Sequence, residues 1–143
     1  MWYGSKAFLS IANYSATVSK MVTARARYLI ERLEQKFGAV GRVAGRYIAA
    51  GFSVELMHPT RYGPIHIIAR GGKGKILAVE VVEQVNKVTV DQVKTFLEKA
   101  KLIKAKPILA IYSNDFKLPD DIYKFCKENG IKIKVVRPGK PMT

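Results

Sequence analysis

His66, Glu80 and Glu83 are the residues of this chain whose types and spacing best suit chemistry. An imidazole with two carboxylates can gather round a metal such as manganese or zinc. The alternative reading, adopted here, makes His66 a partly buried histidine that fills space in an apolar strand, with Glu80 paired to it or to a nearby lysine. No catalytic residue and no metal site is assigned. Glu55 and Glu83 read as solvent-facing strand ends. Cys126 is the only cysteine, so neither an internal disulfide nor a multi-cysteine zinc site can form. Flanked by Phe125 and Lys127 on a predicted helix, it reads as a small buried hydrophobe.

The other chemistry on offer is charge. Lysine and arginine number 25 against 11 acidic residues, a formal net charge of +14 with a pI near 10.0. Such an excess calls for an anionic partner. Polyphosphate satisfies it by direct attraction and by release of condensed counterions, which puts nucleic acid ahead of an anionic membrane surface. Residues 52–83 are nearly neutral and carry the strand-like patterning, so the positive field must come from the flanking helices and loops.

With 143 residues and 48% hydrophobic content, the chain can bury one sizeable core and is not intrinsically disordered. No apolar run reaches about 18 residues, which predicts no transmembrane helix. The first residues lack the basic start and apolar stretch of a signal peptide. A cytoplasmic protein is expected.

The elements that position these residues follow from the hydrophobic period. Phe8, Ile11, Val18, Val22, Leu29, Leu33 and Phe37 recur at helical separations, which predicts a long or broken N-terminal helix over 5–37, stopped by Gly38, with a fresh helical start after Met21. A second helix over about 40–50 buries Val40, Val43, Ala44, Tyr47 and Ile48, leaving Arg42 and Arg46 on its other face. Phe52, Val54 and Leu56 alternate as a strand, followed by turn residues 58–64. Residues 65–69 form the next strand, and Gly71-Gly72-Lys73-Gly74-Lys75 a basic hairpin. The return strand, 76–82, is apolar enough to be central and covered on both faces. Thr89 or Asp91 caps a helix over about 90–103 with Val90, Val93, Phe96, Leu97 and Ala100 inward and Lys94, Lys101 and Lys104 outward. A buried strand over 107–112, a helix from Pro119 to Asn129 and an edge strand carrying Ile131, Ile133 and Val135 complete the chain. The division expected is an N-terminal helical extension, 1–37, packed on an α/β domain, 38–143.

Within this order, Gly51-Phe52, Gly63-Pro64-Ile65-His66-Ile67-Ile68-Ala69, the glycine-rich hairpin, Val79-Glu80-Val81-Val82 and Gln92 resemble the restriction-endonuclease-like PD-(D/E)xK superfamily, which includes the archaeal Holliday junction resolvases. The resemblance spans about Gly41 to Tyr112. It implies an α/β three-layer fold, a central mixed sheet flanked by helices, here with an extra N-terminal helix. That superfamily's chemistry needs an aspartate and a glutamate as hard oxygen ligands for magnesium, and a lysine that orients the attacking water. In this chain His66 stands at the aspartate position, Val82 at the lysine position, and Glu80 alone is retained. No acid occupies Gly41 to Ala44, where an assisting helical glutamate would fall. The resemblance therefore implies a vestigial site of His66, Glu80, Val82 and Gln92, a pseudo-nuclease.

On the same resemblance, Arg42, Arg46, Arg61, Arg70, Lys73, Lys75, Lys87 and Lys94 surround the mouth where related nucleases hold substrate backbone, and are expected as phosphate contacts. Tyr62 is placed to stack on an exposed base. The function expected is non-catalytic binding to the phosphate backbone of DNA or structured RNA, without cofactor. Three alternatives stand beside it: a metal-dependent nuclease or junction resolvase with a non-standard site using magnesium or manganese, an RNA-binding component of a ribonucleoprotein such as the ribosome, and a protein-interaction module. A homodimer through the N-terminal helix is a further expectation, since related nucleases often pair.

Overall fold

The computed structural model describes residues 23–114 and 117–138. Helix α1 (Ala24–Phe37) begins where the Thr23 hydroxyl accepts the Ala26 N–H at 3.1 Å, and ends at Gly38, whose φ of +59° suits glycine. Only Gly38 separates α1 from α2 (Ala39–Ala49). The two helices pack backbone to backbone because α2 offers glycines at the contact. A Cβ on Gly41 would lie 1.9 Å from the Leu33 carbonyl oxygen, and one on Gly45 2.8 Å from the Ile30 side chain.

That contact corrects the predicted buried stripe. Ile30 is the buried residue of α1, with Leu33 beside it, whereas Leu29 is 46% exposed and Tyr28 61% exposed. The close approach turns Ile30 and Leu33 toward α2 and leaves Leu29 on the outer surface. Phe8, Ile11, Val18, Val22 and the Met21 start lie outside the described residues, as does most of the proposed dimer seam.

Five strands follow the expected order: β1 (Ser53–His58), β2 (Ile65–Arg70), β3 (Ile76–Val82), β4 (Lys106–Tyr112) and β5 (Lys132–Val136). They lie in one sheet in sequence order. β1, β2 and β3 form an antiparallel meander, with Leu56 opposite Ile67 and Ile67 opposite Val79. β4 and β5 then add in parallel, Val79 opposite Ile108 and Ile108 opposite Lys132. Each parallel addition needs a crossover, supplied by α3 (Val90–Leu102) and α4 (Asp120–Glu128). Thr89 caps α3 by accepting the Gln92 N–H at 3.2 Å.

The sheet is sandwiched. On one face Val43, Ala44 and Tyr47 of α2 meet Ile67, Ala69, Leu77, Val79, Val81, Ile108, Ala110 and Val136. On the other, Val93 and Phe96 of α3 and Ile122 and Cys126 of α4 meet Ile68, Ala78, Val82, Leu109 and Ile111. This is the expected three-layer α/β architecture, with α1 stacked outside α2. Cys126 is fully buried, and burial raises its thiol pKa.

Because the Gly41 contact involves a backbone carbonyl that cannot swing aside, Gly41→Ala should destabilise the protein by about 1–3 kcal/mol or more through overpacking. Gly72→Ala, at a position with no positive φ and no neighbour within 4 Å, should cost far less; thermal melts of the two variants check this order.

Candidate functional site

His66 on β2 and Glu80 on β3 extend the register in which Ile67 faces Val79, so they come side by side on the α3 face of the sheet. His66 Nδ1 accepts the backbone N–H of Val81 at 3.0 Å. An accepting nitrogen carries no proton, so the ring N–H belongs to Nε2. Glu80 Oε1 lies 3.7 Å from that same Nδ1, beyond hydrogen-bond reach, and this oxygen is buried without a hydrogen-bond partner. Burial, foremost, pushes the Glu80 carboxyl above the usual carboxylate range; the neighbouring His66 ring and the Lys99 ammonium oppose it.

Lys99 is the neighbour of this site that the sequence pattern does not single out. Only 9% exposed, it reaches from α3 to donate from Nζ to the Pro64 carbonyl at 3.0 Å, and it packs over Gly63. The signal was present in the spacing: Lys99 sits three residues after Phe96 and one before Ala100, on the buried side of the helix. Its charge is directed at Glu80, yet its hydrogen bond goes to a backbone carbonyl. A lysine so placed secures the turn before β2 to the crossover helix.

Val82 is 6% exposed and packs in the core beneath α3 and α4, where it offers nothing to hold water. Gln92 is exposed in the first turn of α3. Glu83 lies in the exposed segment after β3 and lines a shallow polar recess of about 330 Å³ with Gln84, Asn86, Ser113 and Lys117, at the carboxyl ends of β3 and β4. Magnesium and manganese take several oxygen ligands. The site instead offers one buried carboxylate and one imidazole nitrogen already engaged by Val81. Among the described residues no three His, Cys, Asp or Glu side chains lie together as metal ligands. The residues present do not fit such an ion.

The nominated phosphate contacts do not share one mouth. β2 runs from the turn bearing Arg61 and Tyr62 to the hairpin bearing Lys73 and Lys75, so these two groups lie at opposite ends of a six-residue strand, about 20 Å apart. His66 and Glu80 belong to the Arg61 end. There the Arg61 guanidinium lies 5.2 Å from the Tyr62 ring centroid, both residues exposed, and Lys87 follows β3 in a short 3-10 turn at the same end. At the far end Arg70 is engaged with Glu55 at 3.3 Å, and Glu55 also meets His58; the His58 hydrogen bond foremost, and Arg70 after it, hold its carboxyl below the usual range. Glu55 is therefore a paired residue and not a bare strand end. Arg42 and Arg46 lie on α2, across the sheet from His66, and Lys94 lies 5.9 Å from the Phe125 ring of α4. The sequence gives spacing along the chain, whereas the antiparallel turn of β2 into β3 separates hairpin from site.

Glu80 makes stability depend on pH. Its folded-state pKa is raised, so the folded state holds the proton more tightly and stability falls as pH rises from about 4.5 through the folded value. Glu80→Gln removes that decline. The variant should match the parent at acidic pH and exceed it by about 1–3 kcal/mol at neutral pH, as read by denaturant unfolding across the range.

Two solved structures share this architecture. The crystal structure of a repair endonuclease from Pyrococcus abyssi superposes with a TM-score of 0.53 at 17% sequence identity, over 78% of this chain and 47% of its own. A complex of EndoMS with double-stranded DNA superposes with a TM-score of 0.50 at 14% identity, over 63% of this chain and 38% of its own. This chain thus spans less than half the length of either. No protein-family model matches it, and no curated protein matches it significantly. The sheet order, the crossovers and these likenesses agree that the chain has the restriction-endonuclease-like fold.

Proposed function

We propose that this chain binds DNA through the sugar-phosphate backbone and does not cut it by the metal-dependent route. The observation that carries the reading is the pairing of His66 with Glu80: a single buried carboxylate beside an engaged imidazole, where hydrolysis needs a set of oxygen ligands. The net charge of +14 supports the binding half. So does the likeness to a structure that is itself a DNA complex, although the chain covers 38% of that protein. Arg61, Tyr62 and Lys87 are the contacts nearest the vestigial site, with Arg61 and Lys87 on phosphate and Tyr62 against an exposed base. Such contacts position a duplex and carry little sequence preference.

Affinity for a labelled duplex should fall steeply as salt rises, and Arg61→Ala and Lys87→Ala should each lessen the slope of log affinity against log salt by about one. An affinity indifferent to salt would sink the binding half. Incubation with duplex and branched DNA in magnesium or manganese should leave both substrates intact. Cleavage that Glu80→Gln abolishes would overturn the other half and make the chain a nuclease with an unusual site.

A further inference from the structure

We propose that a second surface for the DNA backbone lies on the opposite face of the sheet, built by Lys75, Lys106, Lys132 and Lys134. Strand alternation sets it up. On β4, Ile108 and Ala110 pack toward α2, so Lys106 shares their face. On β5, Ile133 and Val135 pack toward α3 and α4 while Val136 packs toward α2, so Lys132 and Lys134 also take the α2 side. Lys75 joins them from the start of β3. Helix α2 packs against β1 through β4, leaving the β5 margin of this face to the lysines.

Side-chain geometry brings Lys134, Lys75 and Lys132 together, and strand register adds Lys106 opposite Leu77. Lys134 Nζ lies 5.4 Å from the Tyr47 ring centroid and Lys75 Nζ lies 5.9 Å from that of Phe52. The two rings meet edge to face at 5.7 Å. An aromatic pair thus supports one ammonium on each ring. Crowding of the Lys134 ammonium against protein, foremost, and then the charges of Lys132 and Lys75 hold it below the usual lysine range. All four lysines are exposed. Within the described residues none of them forms an ion pair with a carboxylate.

Cations gathered without acids store repulsion that a polyanion relieves. The occupant is a phosphate backbone and not an acyl membrane surface, because the aromatic residues that back these ammoniums are turned inward, Tyr47 being 8% exposed and Phe52 partly buried, so neither ring is offered for insertion. Lysine ammoniums act as point charges on phosphate without reading bases. This surface rests on the reading of the chain as DNA-binding and extends it: with contacts on both faces, one molecule can engage two duplex segments, or one segment that passes round the β5 edge.

The test is fluorescence anisotropy of a labelled duplex across a potassium chloride series, with the parent, a variant changing Lys75, Lys106, Lys132 and Lys134 to Gln, the same four changed to Arg, and Arg61→Ala/Lys87→Ala. The Gln variant should lose affinity at least about tenfold, with the slope lessened by about three to four, while the Arg variant binds as the parent does. Should the Gln variant melt early, Lys132→Gln/Lys134→Gln alone should lessen the slope by about two. Parental affinity and slope in the Gln variants, with affinity lost in Arg61→Ala/Lys87→Ala, overturns the second surface and leaves the proposed function intact. A parent that binds no duplex overturns both, and one that binds phosphatidylserine vesicles instead reassigns the lysines to a membrane.

Discussion

The structure depends on a central strand that has no face toward water. β3 is hydrogen-bonded on both edges, to β2 and to β4, and covered above and below by α2 on one side and α3 with α4 on the other. Such a strand tolerates apolar side chains at every position, and six of its seven residues supply them. Glu80 is the exception. Two unusual features of the candidate site follow from placing one carboxylate there: the orphaned oxygen and the raised pKa.

His66 answers this carboxylate in an indirect way. A histidine protonated at Nδ1 would donate to Glu80, but that nitrogen already receives the Val81 N–H. The two side chains are neighbours whose facing atoms both accept. An aspartate at position 66 with glutamate at 80 would set two negative charges in the same low-dielectric space, an arrangement that calls for a cation between them. The histidine adds no second negative charge beside Glu80.

Much of the fold was legible because the local signals agree with one another. The Thr89 cap, the glycine stop at Gly38 and the shift from helical to alternating period at Phe52 all mark real boundaries. The adjacency of His66 and Glu80 is legible because consecutive strands joined by a short hairpin must lie side by side, whereas the expected bond between them is not formed. What failed has physical causes. The face of α1 was misjudged because the apolar period fits more than one stripe, and the choice among them was made by two glycines on a different helix. Lys99 escaped because charge suggests exposure, whereas a long side chain can bury its stem and deliver its ammonium to a distant carbonyl. The basic residues were grouped into one mouth because sequence proximity says nothing of which end of a strand a turn occupies.

The division of the sheet into a meander and two crossovers also separates short-range from long-range pairing. β1, β2 and β3 pair with their sequence neighbours across short loops, so Glu80 can come beside His66 while both are still hydrated. Only the docking of α3, which must first carry the chain across to β4, brings Lys99 and the apolar residues that expel this water. Where α3 docks after the meander has paired, the desolvation of Glu80 falls late in folding and hastens unfolding more than it slows folding. A carboxylate that is costly to bury then shortens the lifetime of the native state and leaves the assembly of the meander largely untouched.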